Sequence, residues 1–220
     1  MCFEAFVAGR RVTSIVLASA SPRRQELLLA LIDEFEVLPS DVPEPLSNDP
    51  RTDALALAEA KARAVEALRP GALVIGSDTI VNDGTVSYGK PEGASDAIAM
   101  LRSLRGRTHS VLTGVAVVLG AEAATAVSEA RITLTNLTDE EVVAYVASGR
   151  PLDKAGAYAI QDEDVPTVAK REGCYCCVMG LPLWRLKRML EVRGVACHNP
   201  AASQPQCADC PERDDGPASA

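Results

Sequence analysis

Three short segments of this chain carry residue types that could hold an anionic ligand and act on it. The first is Ser19-Ala20-Ser21-Pro22-Arg23-Arg24, which leads from the apolar run Ser14 to Ala18 into the sequence RRQELLLALI. That sequence has helical spacing, with Leu27, Leu28 and Ile32 on one face. A helix N-terminus presents unpaired backbone N–H groups and the positive end of a dipole, so it suits an anion. Small hydroxyl residues allow close approach, and two adjacent arginines add charge-assisted hydrogen bonds. A capped helix with two solvated arginines is the plainer alternative.

The second segment is Ile75-Gly76-Ser77-Asp78-Thr79-Ile80-Val81. An acid that interrupts an apolar strand costs free energy unless it meets a cation, a metal or several donors. In open α/β sheets, ligands gather at the carboxyl ends of strands, which is where Asp78 is expected. Gly76 permits close approach and Thr79 adds a hydroxyl; a strand-terminal Asp without a role remains the alternative. The third is Tyr88-Gly89-Lys90-Pro91, where Gly and Pro fix the backbone around one ammonium group. The glycine spacing of a P-loop is absent, so a surface turn is its rival. Glu44, in Asp41-Val42-Pro43-Glu44, could serve as a second carboxylate for a hard cation, or be a solvated loop acid. Lys61, on an Ala-rich helix, has the same open choice.

Other chemistries find less support. His109 and His198 are the only histidines, neither stands in a nucleophile elbow, and no G-x-S-x-G occurs. His109 reads as a structural residue. Near the C-terminus, Cys197-His198 and Cys207-Ala208-Asp209-Cys210 offer metal-binding residue types. Adjacent Cys and His make poor ligand spacing, and no hydrophobic residues surround them, so zinc is not the expectation there.

Alternating strands and helices must position the three segments. The runs Ser14–Ala18, FEVLP and ALVIGSDTIV read as strands, and SDVPEPLSNDP as an irregular crossing. HSVLTGVAVVLG and EAATAVSEARITLT read as two strands paired across 120–122, after a turn at Asn82-Asp83-Gly84. Helices are predicted over Asp53–Leu68, over Ala94–Leu104 with Ser95 as cap, and from Thr138, with a capping box to Glu141, to near Gly149. LPLWRLKRMLEV reads as the last helix, and GAYAI and CYCCVMG as short β-like pieces. No internal repeat is visible. The organisation expected is an extension over 1–13, one α/β domain over 14–195, and a disordered tail over 196–220 rich in Pro, Ser, Ala and Asp.

Bulk composition narrows the function classes. The 220 residues are 47% hydrophobic but only 4% aromatic, so Leu, Val, Ile and Ala must fill the core. A formal net charge of -8 argues against nonspecific binding to a nucleic acid polymer, which needs a basic surface. It leaves room for a nucleotide in a local cluster of cations. No apolar run approaches the roughly 20 residues of a membrane span, and MCFEAFVAGRRVTS has its charges in the reverse order of a signal peptide. Seven cysteines, an odd number crowded at Cys174, Cys176 and Cys177, look unlike a disulfide framework and point to a reducing, cytoplasmic setting.

In their order along the chain, these segments resemble the Maf family of nucleotide pyrophosphatases, related in fold to the inosine triphosphate pyrophosphatases. The matching pieces are LASASPRRQELL, the Glu44 loop, LAEAKARAV, VIGSDTIV, GKPEGASDAIAMLRSLRGRTHSVLTG, DKAGAYAIQ and VMGLP, spanning about Ile15 to Leu190. The resemblance implies a mixed sheet flanked by helices, in two lobes around a central cleft. It implies hydrolysis of the α–β bond of a nucleoside triphosphate with a divalent cation, Mg²⁺ or Mn²⁺. Asp78 matches the general base and metal ligand, Glu44 a second acid of the metal site, and Arg24, Lys61 and Lys90 the cations around the triphosphate. Ser19 belongs to the same loop. Arg23, Thr79 and Gln161 match the pyrimidine branch, which acts on dTTP and UTP, rather than the branch that hydrolyses 7-methyl-GTP. The resemblance also implies a homodimer. A nucleotide-binding regulator of cell division without turnover is the rival from another class.

Two residues depart from the family pattern Ala-Tyr-Gly-Ile-Gln-Gly: Ala159 and Asp162 stand where it has glycine. Loss of Gly freedom bears on base selection. An added acid beside a triphosphate is unfavourable unless it points away or meets the metal.

Overall fold

The computed structural model describes residues 5–7, 10–47, 49–162 and 164–214. Residues 1–4, 8 and 9 of the expected extension, and 215–220 of the expected tail, lie outside the described residues.

The chain builds a mixed sheet from strands that alternate with helices. Two short strands, β1 (Ala5–Val7) and β2 (Arg10–Val12), pair antiparallel on their own. The β-branched run then forms β3 (Ile15–Leu17), which leads into α1 (Pro22–Leu29). After β4 (Glu36–Val37) and an irregular crossing comes α2 (Pro50–Glu66), capped by the Asp49 side chain on the N–H groups of Arg51 and Thr52. The apolar strand β5 (Leu73–Asn82) is followed by β6 (Ser87–Tyr88) and α3 (Ala94–Leu104). The hairpin of β7 (Thr108–Leu119) and β8 (Glu122–Leu134) leads to α4 (Asp139–Ala147), where Thr138 and Glu141 form the reciprocal capping box. β9 (Val168–Gly173), α5 (Tyr175–Val178) and α6 (Leu183–Glu191) complete the regular elements.

The main sheet runs in the order β4-β3-β5-β7-β8-β9, with β6 also paired to β5. β5 is the switch. It lies parallel to β3 through Leu73–Ile75 and antiparallel to β7 along Val74–Asn82. Beyond Ile75 the β3 side of β5 is free of that strand, because β3 ends at Leu17 and the chain turns away into Ser19–Ser21. Asp78 therefore sits where strand order opens a crevice.

Each face of β5 and β7 is packed differently. One face carries Val74, Gly76, Asp78 and Ile80, with Leu112, Gly114, Ala116 and Val118 from β7, and receives α2 through Ala54, Ala58, Ala62 and Val65. A Cβ at Gly114 would lie 2.0 Å from the Ala54 carbonyl oxygen, and one at Gly76 2.1 Å from that of Ala58. Only glycine lets α2 lie this close. The opposite face holds two apolar clusters, one around Leu73, Ile75, Val115 and Val117 under α1, α5 and α6, the other around Val81 and Val111 under α3 and α4. Between them lie Ser77, Thr79 and Thr113, a polar seam that divides the core into two lobes.

Several local expectations are corrected. Gly93, not Ser95, is the N-cap residue of α3. GAYAI begins within a 3₁₀ turn at Ala155–Ala157, and CYCCVMG contains the helix α5, capped by the Cys174 side chain, which accepts from the Cys177 N–H. Packing also continues past both expected boundaries. Val12 is fully buried in the core, and the segment beyond 195 buries Cys207, Cys210 and Glu212. The tail holds to α6 because Trp184 donates to the Cys207 carbonyl at 2.9 Å and Arg188 to that of Glu212 at 2.8 Å. No helix among the described residues is long and apolar enough to cross a membrane.

Candidate active site

A cleft of about 420 Å³ opens at the switch point, lined by residues from both lobes. Ser19, Arg23, Arg24, Glu44, Lys61, Asp78, Thr79, Lys90 and Gln161 all line it. Nine side chains selected from separate stretches of sequence thus meet in one place.

At its floor, α2 and β5 place Lys61 beside Asp78. Both are buried, and Lys61 Nζ lies 2.5 Å from Asp78 Oδ1. The same ammonium lies 2.6 Å from Glu44 Oε1, which reaches in from the irregular crossing before α2. Burial opposes ionisation of Glu44. The hydrogen bond and charge of Lys61, with Lys90 and Arg24 behind it, outweigh burial and hold the carboxyl below its ordinary range. Two carboxylates from different elements thus converge on one cationic point. Oxygen donors of this kind fit a hard divalent cation, which takes few protein carboxylates and completes its shell with phosphate and water.

Arg24 forms the wall opposite. Its guanidinium donates to the Ser77 carbonyl (2.8 Å), the Gly180 carbonyl (2.9 Å) and the Thr79 hydroxyl (3.0 Å). Burial pulls its pKa down, against the raising charge of Asp78. Thr79 also touches Thr113, hydroxyl to hydroxyl, at 3.0 Å. Gly180 adopts φ +98, and a Cβ there would stand 3.0 Å from Arg24 Nε, so glycine is needed both for the turn and for the fork. The Ser19 hydroxyl accepts from the Ser21 N–H at 3.2 Å and so closes the loop before α1.

The rim is charged. Lys90 is exposed, and its turn is tied down where Gly156 N–H donates to the Gly89 carbonyl at 3.0 Å. Arg23 pairs with Asp153 at 3.1 Å, and Lys154 with the same carboxylate at 2.6 Å. Asp153 and Lys154 were not singled out from sequence. Their signal was their place in DKAGAYAIQ, directly before the turn that carries Gln161. Gly180, whose carbonyl holds Arg24, had the same kind of signal in VMGLP.

The two departures from the family pattern are accommodated. Asp162 accepts from the Tyr145 hydroxyl at 2.5 Å and does not line the cleft, so its charge faces another partner. Ala159 is absent from the positive-φ residues, which among non-glycines comprise Ala157 alone in the described chain, so a side chain there costs no backbone strain. His109 is buried with Nε2 2.7 Å from the Tyr158 hydroxyl, a structural placement behind the cleft wall.

Comparison with known proteins agrees in extent with this frame. A profile described as Maf-like protein matches residues 14–193. Curated relatives called dTTP/UTP pyrophosphatase are 43% identical in Thermomicrobium roseum, over 90% of this chain and 93% of that protein. One from Moorella thermoacetica is 47% identical over 84% of this chain and 97% of that protein. Another, from Syntrophotalea carbinolica, is 45% identical over 89% and 91%. With a profile that covers most of its length and relatives this similar end to end, the chain belongs to the Maf family.

Proposed function

We propose that this protein hydrolyses dTTP and UTP to the monophosphate and pyrophosphate, with a divalent cation. The observation that carries the reading is Lys61 held between Asp78 and Glu44 at 2.5 and 2.6 Å, in a cleft whose walls supply Arg23, Arg24 and Lys90. A cleft of about 420 Å³ falls within the range of small-molecule sites.

The triphosphate enters with its charge toward Arg24 and Lys90, and the first turn of α1 offers backbone N–H groups that have no helical partner. Asp78, fixed by Lys61 through Oδ1, uses its other oxygen to orient water and take its proton as the water attacks phosphorus. Arg24 and Lys90 offset the charge that develops on the departing pyrophosphate. Asp78 and Glu44 would hold Mg²⁺ or Mn²⁺, which would supply Lewis-acid charge at the phosphate oxygens. Gln161 and Arg23 stand on the rim, where a base and its sugar reach the protein. Thr79 acts on selectivity through Arg24, since its hydroxyl is engaged by that guanidinium and by Thr113.

The test is pyrophosphate release from a panel of dTTP, UTP, CTP, GTP and 7-methyl-GTP. dTTP and UTP should lead the panel, and Asp78→Asn should lower turnover about 10²- to 10⁴-fold with the fold intact. Release led by 7-methyl-GTP, or binding without release under any metal, would sink the proposal.

A further inference from the structure

The C-terminal segment and the start of α5 share a second cluster of chemically competent residues, none of which lines the cleft. Cys174, Cys210 and Glu212 each direct one ligand atom into a common space, all within 4.8 Å of one another, and all three residues are buried. Beside them, the sulfurs of Cys176 and Cys207 lie 3.3 Å apart. The ligand types thus come as Cys-x-Cys from the start of α5 and Cys-x-x-Cys from the tail, the latter a metal-ligand spacing. Within the tail, Cys197 and His198 are the other residues of metal-binding type near Cys207 and Cys210 in sequence. Those two are engaged elsewhere, His198 with Asp33 at 3.0 Å and Cys197 with the Val195 carbonyl.

Glu212 distinguishes a cation site from mere thiol packing. Its residue is 7% exposed, and its Oε2 is buried without a hydrogen-bond partner. Arg185 pairs with the other oxygen, Oε1, at 3.3 Å. A buried carboxylate oxygen without a hydrogen-bond partner costs free energy even where an arginine meets the other oxygen. A neutral thiol is at most a weak donor to it, and a disulfide offers no donor. A divalent cation between the carboxylate and the sulfurs satisfies it. Soft sulfur ligands select the zinc class over Mg²⁺ or Ca²⁺.

We infer that Cys174, Cys210 and Glu212, completed by a thiolate from the adjoining Cys176–Cys207 pair, bind one soft divalent cation such as Zn²⁺. Each coordinating thiol gives its proton to solvent as its sulfur takes the metal. The cation fastens the tail to α5, the helix that runs into Met179 and Gly180, and so braces the carbonyl that holds Arg24. This site is separate from the carboxylates of the cleft, and its proposal stands apart from the reaction assigned there.

The experiment uses the full chain, reduced and freed of metal, then titrated with Zn²⁺ and, separately, with Co²⁺. One equivalent of Zn²⁺ should bind and resist excess Mg²⁺, and Co²⁺ should give the intense thiolate charge-transfer absorption of a tetrahedral site. Cys174→Ser and Cys210→Ser should each weaken Zn²⁺ more than about tenfold, while Cys197→Ser should leave it unchanged. If a serine variant does not fold, the Co²⁺ spectrum of the unaltered chain decides alone. Three results overturn the inference: no Zn²⁺ bound with all thiols reactive, Zn²⁺ retained by both serine variants, or Cys174–Cys210 and Cys176–Cys207 recovered as disulfides that reductant opens without creating a Zn²⁺ site.

Discussion

Replacing Lys61 with Met removes the cation at the floor of the cleft while keeping most of the side chain's length and apolar contact. The oxygens it joins stand no further apart than its contacts of 2.5 and 2.6 Å allow, about 5 Å. Two unit charges of one sign at that separation repel by about 3 kcal/mol at an effective dielectric near 20. The Glu44 side chain is 46% exposed, so solvent screens part of this, leaving about 2 kcal/mol. Stranding one partner of a buried pair costs about 3–5 kcal/mol when both are fully buried. Much of that is the same electrostatics seen from Asp78, so the two figures do not add. A loss of about 3 kcal/mol is the expectation, read as a lower urea midpoint at pH 8 without metal. The pH dependence has a definite sign. With the ammonium gone, the facing carboxylates raise the folded-state pKa of one of them above its unfolded value. The variant's deficit should therefore be small at low pH and grow as pH rises through the carboxyl range. Mg²⁺ should restore the variant more than the parent, because it takes up the charge that Lys61 had balanced. A deficit independent of both pH and Mg²⁺ would refute the reasoning, since it would mean that Lys61 contributed packing alone.

Gly114→Ala forces a Cβ to within 2.0 Å of the Ala54 carbonyl oxygen. The neighbour is backbone, so α2 must shift; denaturation should show a loss of about 3 kcal/mol or more, at the upper end of overpacking, and a neutral result would deny the close contact. Burial pushes His109 down to about 4 from its ordinary 6.5, so it is neutral in the fold. Its contribution is complete above pH 6.5 and is lost as pH falls toward 4, up to about 3 kcal/mol; an imidazole that titrates near 6.5 by NMR would remove this term. Thr79→Val deletes the hydroxyl that accepts from Arg24 and meets Thr113. Steady-state kinetics should show a loss in kcat/KM worth about 1–2 kcal/mol, with the dTTP to UTP preference altered less than total efficiency.

Legibility in the sequence followed how local the cause was. The capping box of Thr138 and Glu141 and the β7–β8 hairpin are written in adjacent residues, and both formed as expected. Asp78 was conspicuous because a charge in an apolar strand requires an answer, though not which answer. Lys61 gave no local sign, since its environment is made by Glu44 and β5 from elsewhere in the chain. CYCCVMG misled because a short apolar run does not separate strand from helix. β9 escaped notice for the opposite reason. Its sequence VAKREG is largely exposed at the sheet edge and has no apolar alternation. The tail looked structureless because its binding residues are sparse. Its cysteines gain meaning only opposite Cys174 and Cys176, about 30 residues earlier in the chain.

The charge inside the cleft explains how an acidic chain can take a polyanion. The whole sequence carries a net -8, yet the cleft is lined by five cations, Arg23, Arg24, Lys61, Lys90 and Lys154, against three carboxylates, Glu44, Asp78 and Asp153. That local excess of two positive charges does not balance a triphosphate, which carries about four negative ones. One divalent cation brings the complex near neutrality. Metal should therefore govern binding of the triphosphate as well as its turnover, and a monophosphate should gain little from the same cation. The acidic exterior works in the same direction. A nucleic acid polymer would have to bring many phosphates against the net negative surface to place one at the switch point, whereas a free nucleotide brings only its own. The same arithmetic makes the Lys61 contacts consequential. Without that ammonium the cleft's excess falls to one, and the two carboxylates would hold the metal more tightly while the triphosphate lost part of its counter-charge. Metal affinity and nucleotide affinity should thus move in opposite directions in Lys61→Met, a split that loss of packing alone does not produce.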